Sequence, residues 1–195
     1  MAPRSEEQFE AIRNSRKEQI LETALELFAE DGYHLSSISK IAKKAGISKG
    51  LLYNYFDSKE AVLKALMQKI MSDIVEGFPT QKPENFSEED VMKWIDYSIE
   101  ITLKDLKRAR LYLTLSTQPE VTPIFMELAT EPIQQFMGAM IAFFQSKGIE
   151  NSLSLVRHIA AMMDGIQMHI ILDPENYPVE DSIQYFKDYI KSLYK

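Results

Sequence analysis

The stretch that most restricts what this chain can fold into is SSISKIAKKAGISKGLLYNYF, Ser36 to Phe56. Ser36 or Ser37 is placed to cap a short helix whose Ile38, Ile41 and Ala42 recur at i, i+3 and i+4 and share one apolar face. Ala45-Gly46 stops that helix. A glycine accepts the left-handed backbone that lets the chain reverse within about four residues, as two steeply crossing helices require. Ser48 then caps a second helix. Its Leu51, Leu52, Tyr55 and Phe56 form an inward side, and Lys49, Gly50, Tyr53 and Asn54 fall largely on the other side, open to a partner. The spacing predicts a helix-turn-helix.

The charge over this stretch agrees with a DNA face. Between Ser36 and Lys59 five lysines, Lys40, Lys43, Lys44, Lys49 and Lys59, stand against one acid, Asp57, in a chain whose total is −7. Phosphate neutralisation supplies most non-specific affinity, so a net acidic protein that binds DNA must keep its acids away from the binding side. The same lysines also suit a helical hairpin with ordinary solvated charges.

The residues Ala24, Phe28, Gly32-Tyr33, Ile38, Ile41-Ala42, Ala45-Gly46, Ser48, Gly50, Leu52-Tyr53, Tyr55-Phe56, Lys59-Glu60 and Leu63 resemble, in this order, the N-terminal signature of the TetR family of bacterial transcriptional regulators. The likeness covers about residues 16 to 64. Its most specific part is the run Leu52-Tyr53-x-Tyr55-Phe56-x-x-Lys59-Glu60. Two positions that are often threonine in the family are Ser36 and Ser37 here, which keep the hydroxyl. The resemblance implies a ligand-responsive repressor whose two-fold dimer sets two recognition helices into successive major grooves of a palindromic, double-stranded DNA operator. By matched position it assigns Lys49, Gly50 and Asn54 to base edges and Ser37, Lys43, Lys44, Tyr53, Tyr55 and Lys59 to phosphates. Tyr55 also has an inward reading, since it shares a stripe with Leu51 and Leu52.

The rest of the chain reads as support for that element. Residues 1 to about 15 are expected to be a loosely ordered arm, in which Arg4, Arg13 and Arg16 are opposed by Glu6, Glu7 and Glu10. The first firm helix is predicted from Arg16 to Asp31, with Ile20, Ala24, Leu27 and Phe28 inward and Gly32 ending it. Asp57-Ser58-Lys59-Glu60 resembles a capping box that opens a long connecting helix to about Gly77. Gly77, Pro79 and Pro83 mark a loop, and five further helices follow. Ser87-x-x-Asp90 caps one, Gln118-Pro119 breaks the next, and Thr122-Pro123 opens a third, inside which Pro132 must kink or split the helix. The prediction is an all-α chain of about nine helices. A three-helix DNA-binding domain spans 1–60 and a larger ligand-binding and dimerisation domain spans 61–195.

Two adjacent apolar stripes between Leu153 and Leu172, and a heptad-like spacing from Val179 to Leu193 flanked by Tyr185 and Tyr189, point to a homodimer built on the last two helices, the other reading being burial within a larger monomeric core. Met162, Ile166, Ile170, Tyr185, Phe186 and Tyr189 are its candidate contacts. Ten methionines, ten phenylalanines and nine tyrosines offer soft lining for a small molecule. Trp94, Tyr97, Tyr112, Phe125, Met126, Phe136, Met137, Met140, Met163 and Gln167 are the candidate pocket, and their character points to an apolar or amphipathic inducer.

Enzymatic chemistry has no foothold in the sequence. There are no cysteines, which excludes thiolate sites and fits a reducing cytoplasm. His158 and His169 share a helix face but lie about 16 Å apart along the axis, too far to hold one metal. No phosphate loop or nucleophile elbow is present, and neither a cofactor nor a metal is expected. The longest uncharged run, Pro132 to Ser146, is too short to span a bilayer. Two other classes stay open: a helical small-molecule- or partner-binding protein without promoter regulation, and a helical enzyme whose site leaves no pattern. The operator, the inducer and the choice between repression and activation are not written in the sequence.

Overall fold

Aliphatic side chains recurring every three or four residues oblige each helix to cover one face, and those faces decide which helices associate. The computed structural model describes residues 6–77 and 85–194. Among them the chain forms nine α-helices: α1 Glu6–Glu30, α2 Ile38–Lys44, α3 Lys49–Tyr53, α4 Lys59–Val75, α5 Glu88–Lys104, α6 Leu106–Ser116, α7 Thr122–Ser146, α8 Ser152–Leu172 and α9 Val179–Ser192. They group into two compact units. The first runs to Met71 and takes in Leu111–Leu128; the second consists of Ser72–Arg110 and Ala129–Lys195. The contacts thus divide inside α4, α6 and α7.

In the first unit α1 lies against α2, and α2 against α3. Ile20, Ala24, Leu25 and Phe28 of α1 and Ile41, Leu52 and Leu63 are fully enclosed. Leu21 and Leu25 widen the predicted α1 stripe on a second side. Helix α1 also begins ten residues earlier than expected: Glu6 to Ser15 is helical, although residues 7–15 are exposed. Three of its ten residues are glutamate and it holds no glycine or proline, and extending an existing helix avoids the cost of nucleating one. Arg4 falls outside the described residues. At the other end Gly32, at φ +88°, lets the chain leave the helix.

In the second unit the predicted Ser87–Asp90 capping arrangement opens α5: the Ser87 amide and hydroxyl both donate to Asp90 Oδ2, at 2.8 and 2.7 Å. Phe86, Trp94, Ile95, Phe136, Met140, Phe144, Met163 and Ile190 belong to one buried cluster. Trp94 and Phe136 lie 5.4 Å apart, ring centre to ring centre, and Phe86 packs edge-on to both Phe136 and Phe143. Tyr97 closes the end of α4, where its hydroxyl donates to the Asp73 carbonyl at 2.9 Å. A Cβ on Gly77 would stand 1.8 Å from the Tyr97 ring, so that position has room only for glycine. Helix α7 is not split at Pro132; it runs as one helix from Thr122 to Ser146. Its Phe136, Ala139, Met140, Phe143 and Phe144 are buried, and that packing offsets the bond that proline removes. Most of the loop expected around Pro79 and Pro83 lies outside the described residues.

Candidate nucleic-acid interface

Two serines divide the entry to α2 between them. Ser36 is buried and its hydroxyl donates to the carbonyls of Leu27 and Gly32, at 3.2 and 2.9 Å, tying the loop to the end of α1. Ser37 stays exposed and its Oγ accepts the Lys40 amide at 3.2 Å as the helix N-cap. After Ala45, Gly46 takes φ +67° and the Ile47 amide returns to the Ala42 carbonyl at 3.0 Å. Ser48 Oγ then accepts the Leu51 amide at 3.1 Å and α3 begins.

Helix α3 is shorter than the sequence implies. It ends at Tyr53, with Asn54 as its C-cap, and Tyr55 and Phe56 follow in a turn bonded to the Leu52 carbonyl. Leu52 and Phe56 are its buried anchors, Tyr55 is half-buried, and Leu51 is 37% exposed rather than inward. The correction follows from helix geometry: Leu52 and Phe56, four residues apart, share one side, and Leu51 lies about 100° away from Leu52. The outward side carries Lys49, Gly50, Tyr53 and Asn54 as expected, all exposed. Lys49 Nζ lies 5.8 Å from the centre of the Tyr53 ring. Nothing approaches within 4 Å of where a Gly50 Cβ would sit, so the backbone there is open to close approach.

The lysines do not all serve one purpose. Lys43 is exposed and has no acidic partner among the described residues. Lys44 Nζ sits 3.2 Å from Glu26 and 3.6 Å from Glu30, and Lys40 Nζ 3.3 Å from Asp31, so these two pin α2 to the acidic side of α1. Lys59 is committed further. Its ammonium donates to the carbonyls of Tyr33 at 2.8 Å, His34 at 3.4 Å and Ser36 at 3.0 Å, and lies 4.2 Å above the Tyr33 ring. Three acceptors match its three protons, and through them Lys59 holds the α1–α2 loop against the start of α4. Desolvation lowers its pKa below the ordinary lysine range despite the nearby Glu120, and desolvation raises that of Tyr33, with Glu60 adding to it.

Sequence reasoning missed the part Gln118 plays in this unit. Gln118, between α6 and α7, accepts the Tyr33 amide through Oε1 and donates through Nε2 to the Phe28 carbonyl, both at 2.8 Å. Only its position beside a helix-breaking proline marked it.

The candidate pocket residues separate. Tyr112, Phe125 and Met126 belong to the first unit, and Met126 is 59% exposed. Trp94, Phe136, Met140 and Met163 are core side chains of the second unit, with Met137 packed against them. Tyr97 is half-buried on Gly77, and Gln167 Nε2 donates to the Ser98 carbonyl at 3.0 Å and to Thr102 Oγ1 at 2.9 Å. Among the candidate dimer contacts, Ile170 and Phe186 are enclosed by their own chain and have no surface left for a partner. Met162 and Ile166 are half-buried, whereas Tyr185, 77% exposed, and Tyr189 face outward with Leu153, Met168 and Leu172. No group of three His, Asp or Glu among the described residues is placed to hold a metal, and no helix there is long and apolar enough to cross a membrane.

Comparison with known proteins places the match on this same segment. Residues 20–66 fit the model for bacterial regulatory proteins of the tetR family. The Fatty acid metabolism regulator protein of Bacillus subtilis is 47% identical over 58 residues, which is 30% of this chain and 30% of that protein. The chain's matches span only 16% to 30% of the length of the first curated relatives. The regulator BetI of Escherichia coli is 21% identical over 178 residues, 88% of this chain and 91% of that one. Among solved structures, the transcriptional regulator FadR of Bacillus subtilis in complex with stearoyl-CoA superposes with a TM-score of 0.69 at 23% identity, covering 91% of this chain and 97% of that one, a likeness of fold.

Proposed function

We propose that this chain, which belongs to the TetR family of bacterial regulators through residues 20–66, is a ligand-responsive transcriptional repressor that binds a palindromic operator as a homodimer. The observation that carries this is the outward side of α3, where Lys49, Gly50, Tyr53 and Asn54 are exposed together on a helix anchored by Leu52 and Phe56. Lys49, Gly50 and Asn54 meet base edges; Ser37, Lys43, Tyr53 and Tyr55 meet phosphates. Exposed Leu153, Met168 and Leu172 of α8 and Tyr185 and Tyr189 of α9 support an isologous interface on those helices. Such a dimer sets two recognition helices about one turn of DNA apart or somewhat more. The regulator acts in the cytoplasm, where its operator lies. Its inducer is apolar or amphipathic, and the stearoyl-CoA of the Bacillus subtilis neighbour makes long-chain acyl-CoA the first probe to try.

The test is binding of the purified protein to its own upstream region, with random duplex as competitor, at low and moderate salt. Site-selective binding that falls steeply with salt is expected, because counterion release dominates affinity. Equal affinity for both duplexes, or none for either after extraction of any co-purified ligand, would refute the proposal.

A further inference from the structure

We infer that Gln118 is a positioning residue for DNA binding: its side-chain amide fixes the segment between α1 and α2, and with it the pose in which α2 and α3 meet DNA. The inference rests on the reading of the chain as a DNA-binding regulator.

The side chain leaves a backbone that is itself held. The Gln118 amide donates to the Leu115 carbonyl at 3.1 Å. Its own carbonyl accepts from the Val121 and Thr122 amides, both at 2.9 Å, and from the Thr122 hydroxyl at 3.0 Å. Pro119 restricts the same backbone from the other side. Both ends of the amide are then used on groups that need partners. Phe28 contributes one of the last four carbonyls of α1, which the helix leaves short of donors. Tyr33 stands four residues before the Ser37 cap, so a rotation at its amide turns the start of α2.

The far side of that segment is gripped by Lys59, which takes the carbonyls of Tyr33, His34 and Ser36. The Tyr33 ring is wedged edge-on against Phe28, 5.1 Å between centres. Lys59 opens α4 and belongs to the DNA-binding segment itself, whereas Gln118 lies 85 residues beyond Tyr33. It follows two residues after the end of α6, a continuous helix whose first residues, Leu106 to Arg110, belong to the second unit.

The experiment compares the full chain with Gln118→Met, which keeps the length of the side chain and removes both hydrogen bonds, and with Thr117→Val. The Thr117 hydroxyl donates to the carbonyls of Leu113 and Thr114 alone within the same corner. Operator and random-duplex affinity, thermal unfolding and hydrogen exchange at the Tyr33 amide are read for each. Gln118→Met is expected to speed Tyr33 exchange and to lower operator affinity about tenfold, the order that two lost hydrogen bonds can supply. Thr117→Val should change neither. Gln118→Glu retains an acceptor for Tyr33 and guards against a Met variant that does not fold; it should keep the Tyr33 amide protected and bind operator more tightly than the Met variant. Unchanged operator affinity in Gln118→Met, or an equal loss in Thr117→Val, overturns the inference alone. A wild-type chain that does not select its operator overturns the proposed function and this inference with it.

Discussion

Replacing Lys43 or Lys44 by alanine should separate the charge proposed to meet DNA from the charge that joins α2 to α1. The two are consecutive on α2, yet Lys44 reaches Glu26 and Glu30 while Lys43 has no acidic partner among the described residues. Each lysine that neutralises a phosphate adds about 0.9 to the slope of log affinity against log salt, so Lys43→Ala in a two-fold dimer should flatten that slope by about 1.8. Between about 50 and about 200 mM salt the variant then loses roughly tenfold less affinity than the wild type does. Lys44→Ala should leave the slope alone. It forfeits two partly exposed ion pairs instead, worth at most about 1 kcal/mol and a fall of no more than about 4 °C in Tm. Fluorescence anisotropy on a labelled operator over a salt series, with a thermal scan of each protein, reads both quantities. A Lys44→Ala slope as flat as that of Lys43→Ala would refute the division of labour between these neighbours.

Gly50→Ala should stabilise the first unit slightly, by up to about 1 kcal/mol, because the new Cβ meets nothing within 4 Å and alanine favours a helix. Operator binding should nevertheless fall, and unchanged binding in a gel-shift titration would remove Gly50 from the DNA face. Gly77→Ala should cost roughly 1–3 kcal/mol in urea unfolding, since its Cβ would collide with the Tyr97 ring, and the cost should shrink when Tyr97→Ala is added. Lys59→Met leaves the Ser36 carbonyl without its donor and the Tyr33 carbonyl with the Ser36 amide alone, and should destabilise the chain by about 1–3 kcal/mol. It should also change the alkaline profile. Because the folded pKa of Lys59 lies below the ordinary 10.5, the unfolded chain binds more protons at this site between those two values, so this residue makes stability rise with pH there; the variant should lose that rise. Tyr185→Arg puts a charge on the exposed side of α9, and sedimentation should show a weakened dimer with unchanged helicity.

What could be read in advance was whatever local chemistry decides. Ser37, Ser48 and Ser87 stand where the structure puts caps or cap partners, because a cap is settled by a side chain and an amide about three residues on. Gly46 was legible because its role is a single backbone angle. Charge was not legible in the same way. A lysine on an amphipathic helix reads as available, and only the packing of α2 against α1 shows that Lys44 and Lys40 meet Glu26, Glu30 and Asp31, which lie 9 to 18 residues earlier in the chain. On α8 the side packed against the chain's own core takes Val156, Ile159, Met163 and Ile170, while Leu153, Met168 and Leu172 stay exposed, a division that apolar spacing alone did not draw. Least legible were Lys59 and Gln118. Nothing local distinguishes a lysine that donates to three carbonyls from one that awaits a phosphate, or an exposed glutamine from one that bonds Phe28 and Tyr33 across 85 to 90 residues. Both act on the single segment, Gly32 to Ser37, that has no regular structure of its own and yet sets where α2 begins. A segment without an internal ladder of hydrogen bonds must take its geometry from elsewhere in the chain. Long-range polar contacts therefore collect there, at the entry to α2.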